Sequence, residues 1–174
     1  FDNSYLIESM RRFPGRFSVV VVVDTDRPGA PKRLEEWVEQ GAEGVRLSPT
    51  VRSPGRSPLA IWRKAADLGI VVSCLGTVEE FASPQFEGII KEFSTLNIVI
   101  EHLGGVGAYF GPGRQDRAVA YDTYRRVLDL AQYPNTYMKV PGLGEFCPRP
   151  MPFLQPMPFA EIPPLIEMAI DAFG

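Results

Sequence analysis

The stretch Phe17-Ser18-Val19-Val20-Val21-Val22-Val23 decides the fold class. It is apolar almost throughout and rich in β-branched residues, which is the pattern of a parallel strand that is covered on both faces. After a short loop, Leu34, Trp37 and Val38 recur at the spacing of one helix face, and Gly41 ends the pattern. The stretch therefore predicts a buried strand followed by a crossover helix, the repeating unit of an α/β fold.

The same unit of strand and helix recurs along the rest of the chain. Apolar helix faces around Trp62, Ile89 and Tyr124 separate further apolar segments, and the predicted strands begin about 27 residues apart, the size of a βα unit. No linker divides the sequence, so we expect a single domain over residues 1–174. A last helix is predicted over residues 161–173. The four further strands are predicted at residues 44–48, 70–75, 97–101 and 136–140.

Two architectures fit five parallel strands with crossover helices: an open doubly wound sheet and an arc of a (β/α)8 barrel. A doubly wound sheet that binds a dinucleotide predicts a G-x-G-x-x-G loop after a strand. The candidate Gly105-Val106-Gly107 does not complete this motif, because Phe110 stands where the third glycine is required. A closed barrel takes roughly 250 residues, so a chain of 174 residues predicts an incomplete barrel if it is one.

Composition and charge exclude several classes of function. A formal net charge of −3 gives no general basic field for phosphates, so nucleic acid is not expected as a partner. The longest apolar run, residues 19–23, falls far short of the roughly 20 residues of a membrane span, and no signal peptide is visible. We expect a soluble, cytoplasmic protein. Cys74 and Cys147 lack C-x-x-C spacing, which predicts reduced thiols rather than a disulfide framework.

The only histidine of the chain, His102, follows the predicted strand 97–101. Side chains at the C-terminal ends of barrel strands face the substrate site, so His102 is the candidate catalytic residue. An imidazole can polarise a carbonyl or transfer a proton near neutral pH. The alternative is a histidine that is hydrogen-bonded beneath a loop. Glu101 should face the opposite side of the strand, because successive side chains alternate, and we expect it to be structural.

Arg46 lies near the end of the second predicted strand, where its planar guanidinium can bind a carboxylate through two parallel hydrogen bonds. The alternative is an arginine that faces solvent or pairs with a helix. Ser48 and Arg52 follow in the loop at the same end of the strand, and they are predicted to add contacts to a small-molecule substrate.

Five motifs occur together in this order: Asp2-Asn3-Ser4-Tyr5-Leu6, Arg12-Phe13-Pro14-Gly15-Arg16-Phe17, Gly44-Val45-Arg46-Leu47, Ile100-Glu101-His102-Leu103-Gly104 and Tyr133-Pro134-Asn135-Thr136-Tyr137-Met138-Lys139-Val140. In these motifs the chain resembles the amidohydrolase-related family, which includes 2-pyrone-4,6-dicarboxylate hydrolase, sugar lactonases and aminocarboxymuconate semialdehyde decarboxylases. The resemblance implies a TIM barrel, and it places this chain from just after the second strand to just before the eighth. The family's HxH motif on the first strand and aspartate on the eighth are not in the sequence.

The resemblance also implies an enzyme, a hydrolase that acts on a small carboxylated lactone. Water would attack the ring ester, an aspartate outside this chain would be the general base, and His102 would stabilise the developing oxyanion. One alternative is a decarboxylase of the same family, in which a metal polarises the substrate. An alternative of another class is an inactive barrel with a binding or scaffolding role. On either enzymatic interpretation, the 174 residues alone are expected to be inactive.

The resemblance implies a histidine metal ligand at the end of strand 70–75, where this chain has Ser73 and Cys74. No metal ligand is therefore predicted within the sequence, and a divalent metal such as zinc stays open for a complete protein. Lys139 matches a family motif and is expected to form a buried salt bridge. A five-strand arc has two exposed edges. We expect either that further residues of a longer chain cover these edges or that they pair with another copy in a homo-oligomer.

Overall fold

The computed structural model describes residues 1–109, 117–142 and 164–174. Within them, five parallel strands form one sheet in the order β1-β2-β3-β4-β5. Each strand pairs with its neighbours in sequence. The order does not reverse, as it does in a doubly wound sheet, and this is the arrangement of a barrel arc. The strands are β1 Val20–Val21, β2 Gly44–Leu47, β3 Val71–Cys74, β4 Ile98–Ile100 and β5 Thr136–Met138.

Helices follow the strands as the apolar spacing predicts. The α-helices are α1 Ser4–Arg12, α2 Ala30–Glu39, α3 Ala60–Asp67, α4 Val78–Phe81, α5 Pro84–Glu92, α6 Arg117–Leu128 and α7 Leu165–Phe173, and 3₁₀ segments cover His102–Tyr109 and Asp129–Gln132. None of the described helices has the length and apolarity that a membrane span requires. The predicted start of the last helix at residues 161–163 lies outside the described residues, as do Phe110 and Cys147.

The hydrophobic core lies on one face of the sheet, between the strands and the helices. Alternate strand residues point into it, and they pair across the sheet in the row Val45, Val72 and Ile98 and the row Leu47, Cys74 and Ile100. The prediction that the first strand is covered on both faces is wrong for the described structure. Val19 and Val21 are buried, whereas Val20 is 38% exposed, because the helices cover only the face to which the odd-numbered valines point.

Two buried asparagines hold strands in place. Asn3 donates to the Val22 carbonyl at 2.9 Å and accepts from the Val22 amide at 3.0 Å, so it satisfies the backbone of the edge strand β1 just beyond its end. Asn135 lies directly before β5. Its Nδ2 donates to the carbonyl of Ile90 in α5 and to the carbonyls of Phe93 and Leu96, which follow α5. These contacts fix the end of β1 and the start of β5. Pairing of copies through the sheet edges stays a prediction.

Candidate functional site

A polar cluster surrounds Glu101 at the C-terminal end of β4. Ser73 Oγ donates to Glu101 Oε1 at 2.6 Å, and Lys139 Nζ donates to the same oxygen at 3.3 Å. Arg46 Nη2 donates to Glu101 Oε2, and His102 Nε2 lies 3.8 Å from that oxygen. We call these five residues the Glu101 cluster. It joins the ends of four neighbouring strands at one carboxylate.

The register of the sheet explains why these residues meet. Arg46 pairs with Ser73, and Ser73 pairs with Val99, so the three lie in one row across β2, β3 and β4. Side chains of paired residues in a parallel sheet share a face, and so do residues two positions apart on a strand. Glu101 follows Val99 by two positions and therefore shares the face of Arg46. This is the face that the helices do not cover.

The backbone brings His102 to the same side as Glu101. His102 and Leu103 have φ values of 54° and 51°, and Gly104 and Gly105 have 63° and 73°, so four successive residues are left-handed. The strand ends at this point, and the alternation of side chains ends with it. The expectation that Glu101 faces away from His102 is therefore wrong. Residues other than glycine rarely adopt this conformation, and such strain is concentrated at functional sites.

Glu101 is only 3% exposed, yet it is a carboxylate. Burial raises the pKa of Glu101, but hydrogen bonds from Ser73 and Arg46 and the positive charges of Arg46 and Lys139 outweigh burial and hold the pKa below its ordinary value. The side chains of Arg46 and Lys139 are 41% and 56% exposed, so both cations also reach the open face. Within the cluster two cations thus surround one carboxylate, whereas the neighbouring pocket that Arg46 lines also holds Asp24 and Asp26.

The predicted substrate residues do not all come together. Arg46 and Ser48 line the same pocket of about 350 Å³ at the C-terminal ends of β1 and β2, beside Asp24 and Leu75. Ser48 Oγ lies 2.9 Å from Thr50 Oγ1. Arg52 instead donates to the carbonyls of its own loop, at 2.8 Å to Val51 and 3.4 Å to Pro49. The geometry thus places Arg46 and Ser48 on one pocket and brings His102 near Arg46 at Glu101, whereas Arg52 Nη1 is bound within its own loop.

Lys139 forms the expected ion pair, with Glu101 as its partner, but its side chain is more than half exposed rather than buried. The sequence interpretation missed Glu101 itself. A signal was present. Glu101 lies two residues after Val99, which is in the same row across the sheet as Arg46, so Glu101 shares the face of Arg46 once the register of the strands is known.

The residues at the end of β3 do not fit a metal ion. Cys74 is a fully buried free thiol whose side chain is part of the core, and burial followed by the nearby Glu101 charge raises its pKa. Ser73 is bound to Glu101, whose other partners are cations. Within residues 1–109, 117–142 and 164–174, no three His, Cys, Asp or Glu side chains are placed to hold a metal ion. Ser73 and Cys74 therefore do not replace the histidine ligand that the resemblance implies at this position.

A protein-family model described as "Amidohydrolase" matches residues 1–174. An amidohydrolase structure from Burkholderia multivorans with bound HEPES has a TM-score of 0.67 at 21% identity and is covered over 60% of its length. A probable 2-pyrone-4,6-dicarboxylic acid hydrolase from Acinetobacter baumannii with citric acid bound has a TM-score of 0.64 at 19% identity and is covered over 57%.

A third solved structure, amidohydrolase 2 from Bifidobacterium longum subsp. infantis, has a TM-score of 0.55 at 17% identity. Each alignment includes 99% of this chain, which spans only 57–60% of the length of these relatives. Comparison with curated protein sequences gives no match. At these identities the solved structures show the fold, and they confirm the arc of a (β/α)8 barrel.

Proposed function

We propose a hydrolytic function for this chain, which belongs to the amidohydrolase family: the opening of a small carboxylated lactone by water. The observation that carries the proposal is the Glu101 cluster, in which Arg46, Lys139 and His102 meet at the C-terminal ends of the strands. This is the end of a (β/α)8 barrel at which substrates bind. The two cations of the cluster suit a carboxylated substrate.

Arg46 is the proposed contact to the substrate carboxylate. It uses Nη2 to bind Glu101, and a guanidinium carries five N–H donors in a fixed plane, so one carboxylate partner does not saturate it. Ser48 lines the same pocket and offers a hydroxyl beside the guanidinium. Lys139 adds a second positive charge from the other side of Glu101. These groups would hold the substrate by its acid group and leave its ester beside His102.

His102 is the proposed group at the ester. When water adds to the ring carbonyl, a C–O bond forms and negative charge develops on the carbonyl oxygen, which an imidazole N–H can stabilise. The ring C–O bond then breaks, and the leaving oxygen takes up the proton that a base has removed from the attacking water, which gives the open hydroxy acid. We propose that the base that removes the proton from water lies outside these 174 residues, since the relatives' chains are longer.

The described relatives support the choice of substrate class. The Acinetobacter baumannii protein is described as a probable hydrolase of 2-pyrone-4,6-dicarboxylic acid, a cyclic ester with two carboxyl groups, and it binds citric acid. Both compounds carry carboxyl groups. Arg46 and Lys139 provide cations suited to the same chemistry in this chain.

The test is a panel of lactones, with and without carboxyl groups, incubated with the complete protein in its natural length. Ring opening is followed by proton release, and products are identified by mass. We expect opening of carboxylated lactones and no loss of CO₂. Release of CO₂ would indicate the decarboxylase alternative, and absence of turnover across the panel would favour a binding or scaffolding role. The 174 residues alone are expected to be inactive.

A further inference from the structure

We infer that Glu101 is a positioning residue, which holds Arg46, Lys139 and His102 in the arrangement that binds the substrate's carboxylate. The inference rests on the proposed function and goes beyond it. It attributes the site's affinity for the substrate's carboxylate to a second carboxylate, the buried one of Glu101. Glu101 does not itself touch the substrate in this arrangement. It acts through the cations around it.

The two oxygens of Glu101 are divided among its neighbours. Oε1 accepts from Ser73 and Lys139, whereas Oε2 accepts from Arg46 and lies near His102. The hydroxyl of Ser73 is itself buried, so it orients the carboxylate from within the sheet. One buried group thus holds side chains that come from β2 and from beyond β5, and His102, the second residue after β4, lies beside it.

The neighbours of Glu101 need such an anchor. Arg46 and Lys139 have long, flexible side chains that are about half exposed, and each would sample many rotamers without a fixed partner. Groups that are already ordered bind a ligand more tightly, because less conformational freedom is lost when the complex forms. The carboxylate therefore improves anion binding although its own charge repels an anion.

The charge of Glu101 and its proposed positioning role have opposite effects on the affinity for an anion, so removing the carboxylate tests the inference. If Glu101 were only a negative charge near the site, its removal would strengthen the binding of an anion. If Glu101 positions the cations, its removal weakens the same binding. Glu101→Gln keeps the shape of the side chain and an oxygen that can accept from Ser73, but it removes the charge that holds Arg46 and Lys139.

The experiment measures the affinity of citrate by calorimetry for the complete protein and three variants. We expect Glu101→Gln to weaken citrate binding by about tenfold, because two side chains must then be ordered on binding. Glu101→Asp keeps the charge and should recover part of the affinity. The matched control is Glu92→Gln, which removes a carboxylate from an exposed pair with Arg63 and should bind citrate as the wild type does. Circular dichroism verifies that every variant is folded.

A second measurement needs no ligand. The imidazole NMR signals of His102 in the complete protein are assigned by their loss in the His102→Asn variant. Glu101→Gln should shift and broaden the His102 signal, whereas Glu92→Gln should leave it unchanged. Equal or tighter citrate binding by a folded Glu101→Gln variant would overturn the inference, and so would wild-type protein that binds no citrate.

The two proposals fail separately. If the wild type opens lactones and Glu101→Gln binds citrate as tightly as it does, the positioning role is wrong and the proposed function stands. If the wild type opens no lactone but the citrate series behaves as expected, the hydrolytic function is wrong, and Glu101 is confirmed as the organiser of an anion site.

Discussion

Ser73 Oγ donates a 2.6 Å hydrogen bond to Glu101 Oε1 across the boundary between β3 and the end of β4. Both residues are buried on the sheet face that the helices do not cover. A carboxylate at this place is costly to bury unless hydrogen bonds and cations compensate for its lost hydration. The compensation comes from Ser73, Arg46 and Lys139, and it concentrates positive charge where a barrel binds its substrate.

Acid should destabilise the protein through Glu101. Its pKa is lowered from the ordinary 4.5, so its ion pairs contribute their full stability above pH 4.5, and this contribution is lost as the pH falls through the lower folded value. Urea unfolding between pH 7 and 3 should therefore show a difference between wild type and Glu101→Gln that shrinks below pH 4.5. A difference that stays constant over this range would contradict the assignment. Glu92→Gln is the exposed control.

Replacing Arg46 by lysine should weaken the binding of a carboxylated substrate. Lysine keeps the positive charge but loses the planar pair of donors, and a charge-assisted hydrogen bond contributes about 1.5–3 kcal/mol. We expect KM to rise about tenfold or more, with a smaller change in kcat. Arg63→Lys, in an exposed pair with Glu92, is the control and should leave both constants unchanged. An unchanged KM in Arg46→Lys would remove Arg46 from the proposed site.

Arg52 should matter for stability rather than for binding. Its guanidinium donates to the carbonyls of Pro49 and Val51, so Arg52→Met loses these hydrogen bonds and leaves the apolar stem in place. We expect the free energy of unfolding to fall by about 1–2 kcal/mol, while citrate affinity stays at the wild-type value. Calorimetry and urea unfolding decide between this outcome and a substrate contact, which would appear as a loss of affinity.

Gly105 should not tolerate a side chain. Its φ is 73°, and a Cβ there would lie 2.3 Å from the Gly76 carbonyl oxygen. Gly105→Ala should lower the free energy of unfolding by about 2 kcal/mol or more, because strain and the clash act together. Gly88, within α5, has open space around it, so Gly88→Ala should instead stabilise the protein by about 0.5–1 kcal/mol. Equal effects of the two substitutions would contradict the close packing of the loop after β4.

The order of strands and helices could be predicted from the sequence, because apolar runs and helix-face spacing are local signals. The predicted strands at residues 44–48, 70–75, 97–101 and 136–140 each contain an observed strand. The predicted cover on both faces of the first strand was wrong, since a valine run does not show which face the helices will cover. Which face is covered depends on contacts between distant segments of the chain, and Val20 remains exposed for this reason.

The candidate site was predictable only in part. Arg46 and His102 were singled out because Arg46 lies near the end of a predicted strand and His102 follows one, and their part in binding and catalysis stays a prediction. Glu101 was assigned to the wrong face because four successive left-handed residues begin at His102, and the alternation of a regular strand does not continue into them. Arg52 lies in the predicted loop, yet its Nη1 donates to the nearby carbonyls of Pro49 and Val51. The turn of His102 to the side of Glu101 and the contacts of Arg52 both depend on the exact backbone path, so neither follows from residue spacing.

Carboxylate recognition and ester hydrolysis should occur together beside His102 if the proposed function is correct. Two lactones that differ only in one carboxyl group are compared. Their rates of hydrolysis by the complete wild-type protein and by His102→Asn test carboxylate recognition and ester hydrolysis together. We predict that the wild type opens the carboxylated lactone with a much lower KM than the neutral one, and that His102→Asn loses at least about a hundredfold in kcat. Equal hydrolysis of both lactones, or full activity in His102→Asn, would contradict the proposed function.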